Sequence, residues 1–129
     1  MPTGVVIREA HYPGRAPIDS YGNGGFRFAG MSHRGGLLCL PSGIHGWQAP
    51  APEELGKESL AAVFGEGEGI EILLVGTGRF LVPLTPALRE RCRTEGIVAE
   101  SMSTGAAVRT FNVLLAEERA VAAALIPVD

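Results

Sequence analysis

The stretch IEILLVGTG, residues 70–78, is an apolar run that ends in two glycines separated by a threonine. A short apolar run bounded by turn residues is typical of a strand. The glycines predict a tight loop directly after the strand. This strand is the first element of an alternating strand and helix pattern in the second half of the chain, and that pattern decides the fold class.

A helix is predicted downstream, between Thr85 and Gly96. Threonine is a favoured N-cap, and Pro86 suits the first helical position because its missing N–H needs no partner there. Gly96 is expected to take the left-handed conformation that commonly follows a helix end. IVAE, residues 97–100, is then expected to form a short strand.

A second helix is predicted to begin within MSTGAAVRTFN, residues 102–112, and a last strand within AVAAALIPV, residues 120–128. The last strand is nearly all apolar, as expected where both faces of a sheet are covered. Residues 70–127 thus follow the order β-α-β-α-β, which favours an α/β layer with mainly parallel strands.

The first half of the chain is richer in glycine and proline. Residues 1–17 are predicted to contain an early strand or arm. Residues 18–50 are predicted to form an antiparallel β-meander, because FRFAGM, residues 26–31, alternates between apolar and polar side chains. Residues 51–69 are predicted to be a linker with one short helix at residues 53–64.

Composition and charge limit the function classes. With 129 residues, 46 % of them apolar, the chain (residues 1–129) is expected to fold as one globular domain. A net charge of −3 without a basic cluster argues against nucleic acid as a partner. No apolar run approaches the roughly 20 residues of a membrane span. MPTGVVIREA resembles neither a secretory signal nor a transit peptide, so a cytoplasmic location in a bacterium is expected.

The cysteines and histidines predict neither a metal site nor a catalytic centre. Cys39 and Cys92 lie in apolar surroundings far apart in sequence and are interpreted as reduced core thiols. The histidines at positions 11, 33 and 45 have no metal-ligand spacing. No cofactor is predicted either, and the sequence favours a role other than catalysis.

The best candidate for a ligand site is a crevice between two loops. In an open α/β sheet, ligands bind outside the carboxyl ends of the strands. The loops after the strands at residues 70–75 and 97–100 are expected to meet there if these strands are parallel neighbours. The residues predicted to line this crevice are Gly76, Thr77, Gly78, Glu100, Ser103, Thr104, Gly105 and Arg109.

Several interpretations of these residues stay open. Ser103 or Thr104 fits an ordinary N-cap with close packing, or the free N–H groups of the helix bind an anion. A serine nucleophile is disfavoured because no histidine follows position 45 and the G-x-S-x-G elbow is absent. GTG is too short for the dinucleotide fingerprint and fits a tight strand exit better. Glu100 is interpreted as an edge carboxylate or, less readily, as a buried acid with a raised pKa.

Four motifs together resemble a known family: IDSYGNGGFRFAG, LLCLPSGIHGW, IEILLVGTG and TFNVLLAEERAVAAALIPV, in this order. They are similar to a family of small uncharacterised α/β proteins that includes a mitochondrial respiratory complex I (NADH dehydrogenase) assembly factor. The resemblance covers about residues 18–127. The residues that match its motifs are Ile70, Glu71, Gly76, Thr77, Gly78, Thr110, Phe111 and Asn112.

The resemblance implies a three-layer α/β domain with a central mixed sheet, helices packed on it and an additional N-terminal β-layer. It implies no established reaction. It implies instead an assembly or scaffolding module whose partners are other proteins, in the mitochondrial branch those that help to assemble complex I. The alternative is a small-molecule or anion-binding protein, or an enzyme, that uses the crevice. The sequence leaves open whether the chain forms a homodimer.

Overall fold

A computed structural model describes residues 6–7 and 11–129 of the chain. The predicted early strand falls partly outside these residues. The described strands and helices are β1 (Val6–Ile7), β2 (His11–Tyr12), β3 (Ser20–Gly22), β4 (Gly25–Phe28), β5 (Met31–Arg34), β6 (Gly36–Leu40), β7 (Gly43–Trp47), α1 (Ala61–Phe64), β8 (Ile72–Gly76), α2 (Pro86–Thr94), β9 (Val98–Met102), α3 (Thr104–Ala116) and β10 (Val121–Leu125).

A six-stranded mixed sheet forms the middle layer, with the strand order β2-β7-β6-β10-β8-β9. The predicted strand β8 pairs in parallel with both β10 and β9. On the other side of β10, the pairs β10–β6, β6–β7 and β7–β2 are antiparallel. Parallel pairing is therefore limited to one half of the sheet, and the mixed central sheet expected from the family resemblance is confirmed.

Strand β10 is apolar throughout because both faces of the central sheet are covered. Val121, Ala123 and Leu125 pack into one core cluster, together with α3 and the smaller sheet. Ala122 and Ala124 point the other way, into a second cluster with α2 and the segment that contains α1. Because side chains alternate along a strand, a strand covered on both faces needs an uninterrupted apolar run.

A second, four-stranded sheet with the order β1-β5-β4-β3 is the additional β-layer. Asn23 (φ 51°) and Gly24 (φ 77°) form the turn between β3 and β4. Positive φ at both central residues is the mark of a type I′ hairpin turn. Phe26 and Phe28 are buried under this sheet and Arg27 is exposed, in agreement with the predicted alternation.

The predicted meander is divided between the two sheets. Strands β3, β4 and β5 are antiparallel neighbours in the small sheet, whereas β6 and β7 belong to the central one. The division falls at Gly35, whose φ of 104° suits glycine. The physical reason is burial: all five residues of β6 are buried, so β6 belongs in a layer covered on both faces.

The helix predicted at residues 53–64 is wrong in extent. In this part of the chain the structure has one 3₁₀ turn, at Pro52–Glu54, and one α-helical turn, α1, at Ala61–Phe64, and a second 3₁₀ turn follows at Gly67–Gly69. Between the first two turns, Ser59 Oγ accepts a hydrogen bond from the Gly56 N–H (3.1 Å) and donates one to the Gly56 carbonyl (3.0 Å). These side-chain bonds compete with helical backbone bonds and hold a turn instead.

The two long helices begin where the capping signals predicted. Thr85 Oγ1 accepts a hydrogen bond from the Leu88 N–H (3.2 Å), and Gly96 beyond the end of α2 has φ 77°. Ser103 Oγ accepts from the Ala106 N–H (3.3 Å) at the start of α3. In the part of the chain that the structure describes, no helix combines the length and the apolar character that a bilayer crossing requires.

Candidate functional site

The carboxyl ends of β8 and β9 lie side by side, as the predicted crevice requires. Gly76 at the end of β8 pairs with Met102 at the end of β9. The Thr77 N–H continues this pairing by donating to the Met102 carbonyl (2.9 Å). Strand β9 therefore extends two residues beyond the predicted strand at residues 97–100.

The two loops that leave these strands are joined directly by hydrogen bonds. The Gly78 N–H donates to Thr104 Oγ1 (2.9 Å), and the Thr104 N–H donates to the Gly78 carbonyl (2.8 Å). Thr104 Oγ1 in turn donates to the Ile126 carbonyl (2.6 Å), and the residue is fully buried. The hydrogen-bonding groups of Thr104 are thus occupied within the protein.

The Thr77 side chain organises the loop that follows it. Its hydroxyl lies 2.6 Å from the Phe80 carbonyl and 3.1 Å from the Met102 carbonyl, and it accepts from the Val82 N–H (3.0 Å). A hydroxyl carries one hydrogen, so it donates to the nearer carbonyl, that of Phe80. Thr77 is only 2 % exposed. The buried Thr77 hydroxyl therefore holds the conformation of the loop at residues 78–82 through these hydrogen bonds.

Gly76 allows the loops to approach each other. A Cβ at this position would lie 2.9 Å from Thr104 Cα and 3.1 Å from Leu125 Cδ2, both closer than an ordinary contact. Gly78 has φ 95°, a conformation that L side chains rarely adopt. Both glycines therefore have a structural reason to be there, and the interpretation of GTG as a tight strand exit fits this geometry.

The beginning of α3 is also closely packed. Besides the Ala106 N–H bound to Ser103 Oγ, the Ala107 N–H donates to the Ser103 carbonyl (2.9 Å). A Cβ at Gly105 would overlap the Tyr21 hydroxyl, so the Tyr21 side chain of the small sheet covers this turn. The geometry supports the interpretation as an N-cap with close packing.

Two of the predicted site residues are exposed. Glu100 in β9 pairs with Leu74, two residues before the strand end, and is exposed, so its interpretation as a buried acid is wrong. Arg109 is exposed one turn into α3, with Nη1 3.5 Å from the position that a Cβ would take at Gly105. The role of the eight crevice residues in binding a ligand stays a prediction.

An exposed apolar loop next to this place was missed at the level of sequence. Phe80 is 74 % exposed and Leu81 is 58 % exposed, although both are large apolar side chains. Arg79 and Pro83 on either side are exposed as well. The sequence does contain a signal for this loop. The run RFLVP, residues 79–83, is largely apolar but has neither strand nor helix periodicity, and it lies between a glycine turn and the N-cap of a helix.

The thiols are buried, as predicted. Cys39 and Cys92 are both free and buried. Burial raises the pKa of the Cys39 thiol from its ordinary value of 9.0 to about 12. Burial also raises the pKa of the Cys92 thiol. Because the thiolate is the reactive form, neither side chain is suited to act as a nucleophile.

A Ser–His–Glu cluster lies elsewhere, at the β6–β7 turn. Ser42 Oγ donates to Glu66 Oε2 (2.8 Å) and lies 3.3 Å from His45 Nε2. In a catalytic triad the histidine stands between the nucleophile and the acid. Here the serine stands between the other two groups and donates its proton to the carboxylate rather than to the imidazole. The cluster is a polar surface contact and does not activate the serine.

Comparison with known proteins agrees with this architecture. A crystal structure described as that of an outer membrane protein from Bartonella henselae superimposes with a TM-score of 0.88, at 56 % identity over 92 % of this chain and all of that one. An uncharacterised protein of Rhodobacter capsulatus is 40 % identical over 95 % of this chain and 94 % of its own length.

A relative with a named role is found in mouse. NADH dehydrogenase [ubiquinone] 1 alpha subcomplex assembly factor 3 of Mus musculus is 33 % identical over 97 % of this chain and 68 % of its own length. The family model described as "Protein of unknown function (DUF498/DUF598)" matches residues 18–126, close to the range over which the resemblance was seen. The chain therefore belongs to the DUF498/DUF598 family, and a complex I assembly factor is among the proteins to which it is similar.

Proposed function

We propose that this protein is a non-catalytic assembly module that acts by binding other proteins, and that it serves the assembly of respiratory complex I. The similarity to the mouse assembly factor over nearly the whole chain supports this role. The site geometry adds to it, because the threonines and glycines at the strand ends are engaged in holding loops together rather than facing a substrate.

The observation that carries the proposal is the exposed loop of Arg79, Phe80, Leu81 and Pro83. Aromatic and arginine side chains dominate the binding energy of protein interfaces. Large apolar side chains left in water also favour association through burial of their surface. Since the Thr77 hydroxyl bonds both the Phe80 carbonyl and the Val82 N–H, the loop is held in shape before a partner arrives. This lowers the entropic cost of binding.

A quantitative pull-down from the host cell tests this proposal. The bait is the wild-type chain or the variant Phe80→Ser/Leu81→Ser, and the readout is the enrichment of complex I subunits and their assembly proteins. We expect enrichment with wild type and its loss with the variant. Val113→Ser is the matched control, because Val113 is 57 % exposed but lies on α3. Absence of complex I components from the wild-type sample, or equal recovery by both baits, contradicts the proposal.

A second copy of the chain is the competing occupant of the same loop. Light scattering distinguishes the two cases, since a monomer has a mass of 13.5 kDa. A particle of twice this mass that becomes a monomer in Phe80→Ser/Leu81→Ser assigns the loop to a homodimer instead. We expect the monomer mass in both.

The cytoplasmic location predicted from the N-terminal sequence belongs to the same proposal. Fractionation of host cells with an antibody against the chain is expected to recover it with soluble proteins. Recovery with the outer membrane fraction would contradict this location, and the description of the Bartonella henselae relative makes that fraction the one to examine.

Anion binding at the beginning of α3 is the second candidate. The observation in its favour is Arg109, which lies beside the first turn and forms no salt bridge within the described residues. A thermal-shift screen with nucleotides, phosphates and carboxylates tests it, because a ligand at 100 times its Kd stabilises the fold by about 2.7 kcal/mol. A shift that persists in Arg109→Gln would place the ligand elsewhere.

A further inference from the structure

The outward face of the small sheet carries a pair of arginines on neighbouring strands. Arg27 on β4 pairs with Ser32 on β5, and Gly25 pairs with Arg34. Because side chains alternate along a strand, Arg27 and Arg34 lie on the face opposite to the buried Phe26. Diagonal positions of this kind are about 7–8 Å apart, which long side chains bridge.

A shallow cavity lies between the two arginines. Its volume is about 230 Å³. It is lined by Gly22, Asn23, Gly25, Phe26, Arg27, Ser32, His33 and Arg34. Gly22 leaves open space beside the hairpin turn, since a Cβ there would meet no atom within 4 Å. The turn itself is anchored, because the Gly24 N–H donates to the Val128 carbonyl (2.8 Å).

The charged side chains that line this cavity are both arginines. No aspartate or glutamate lines it. Both arginines are exposed, and neither forms a salt bridge with another residue in the ranges 6–7 and 11–129. The Ser32 hydroxyl and the Asn23 amide supply further hydrogen-bond donors. In a chain of net charge −3, two unpaired guanidinium groups that share one cavity form a local site for an anion.

The volume of the cavity and the guanidinium donors indicate which class of anion fits this site. A guanidinium group can bind two phosphate oxygens at once through two parallel N–H···O hydrogen bonds. These bonds are shorter and stronger than those from neutral donors. Drug-sized ligands occupy pockets of about 300–1,000 Å³, so a cavity of about 230 Å³ admits a phosphate group with few further atoms. We propose that Arg27 and Arg34 form a binding site for the phosphate group of a small molecule.

Amide NMR spectra titrated with ligand test this site. The probes are inorganic phosphate and glycerol 3-phosphate, with acetate and chloride as controls for charge alone. We expect saturable shifts at the amides of residues 22–34 with the phosphate compounds. Equal affinity for both probes assigns the site to free phosphate, and tighter binding of glycerol 3-phosphate assigns it to a phosphate ester. Absence of saturable shifts with either probe, or equal shifts with chloride, overturns the proposal.

Variants connect the binding to the two arginines. Arg27→Gln and Arg34→Gln are each expected to weaken phosphate binding about tenfold or more, because each removes charge-assisted hydrogen bonds. The double variant should not bind. Arg89→Gln removes the same charge from an exposed position on α2 and should leave the affinity unchanged. An unchanged affinity in the double variant, with its spectrum showing a folded protein, contradicts the assignment. Arg109→Gln distinguishes this site from the one considered at α3.

Discussion

At the scale of single residues, the polar groups at the strand ends act on the protein's own backbone. Thr77 and Thr104 are buried, and their hydroxyls bond carbonyl and N–H groups of two other segments, the loop at residues 78–82 and Ile126 directly after β10. A buried polar group without a partner costs free energy, so these threonines stabilise the loops that they connect. The motif GTG therefore contributes to a function indirectly, through the shape of the loop after it.

Thr77→Val tests this structural role. The change keeps the volume of the side chain but leaves the Phe80 carbonyl and the Val82 N–H without the hydroxyl. We expect the free energy of unfolding to fall by about 1–3 kcal/mol, measured by urea denaturation. Thr94→Val is the matched control, because its hydroxyl donates to the Glu90 carbonyl on an exposed helix face. A loss no larger than that of Thr94→Val would contradict the role of Thr77.

The Cys39 thiol predicts a dependence of stability on alkaline pH. Its pKa is about 12 in the folded chain and 9.0 in the unfolded chain, where the side chain is solvated. The unfolded chain therefore loses its proton first, so the stabilisation is present in full below pH 9 and is lost as the pH rises towards 12. The urea midpoint should fall as the pH rises above about 9, and less steeply in Cys39→Ala than in wild type. Equal slopes would contradict this prediction.

At the scale of elements, local chemistry and periodicity predicted the second half of the chain well. Some features involve only residues close together in the chain and can therefore be recognised from the sequence. These are the N-caps Thr85 and Ser103 and the apolar run of β10. The division of the meander between two sheets and the short extent of α1 depend on tertiary pairing and on the Ser59 side chain. The loop around Phe80 was missed because its exposure results from hydrogen bonds to a residue buried beneath it.

The N-cap of α3 gives a prediction that separates structure from chemistry. Ser103→Ala removes the acceptor of the Ala106 N–H and should lower the free energy of unfolding by about 1 kcal/mol. Thermal or urea denaturation measures this loss. Since the serine is assigned no reaction, the recovery of protein partners in a pull-down should not change. Loss of partner recovery at unchanged stability would show that the hydroxyl has a role beyond the cap.

At the scale of the whole molecule, the central sheet joins two cores. The cluster on the α3 side and the cluster on the α2 side share β10, whose residues alternate between them. Loss of either cluster would expose one face of this all-apolar strand to water. The two sides are therefore expected to unfold together, as one cooperative unit.

Trp47 is a reporter for this cooperativity. It is the single tryptophan of the chain and packs against the α2-side cluster, with its indole N–H bonded to the Ser59 carbonyl (2.9 Å). Unfolding followed by Trp47 fluorescence and by far-UV circular dichroism should give the same urea midpoint. Separate midpoints would mean that one side of the sheet unfolds while the other persists.

The single hydroxyl of Thr104, at the start of α3, connects this helix to the loop at Gly78 and to Ile126, the residue directly after β10. This arrangement limits which residues can replace Thr104 without loss of stability. Serine keeps both hydrogen bonds and loses only a methyl group, whereas valine keeps the shape and loses both bonds. Relatives that share this joint are therefore expected to exchange threonine for serine at this position and to avoid the isosteric apolar residue.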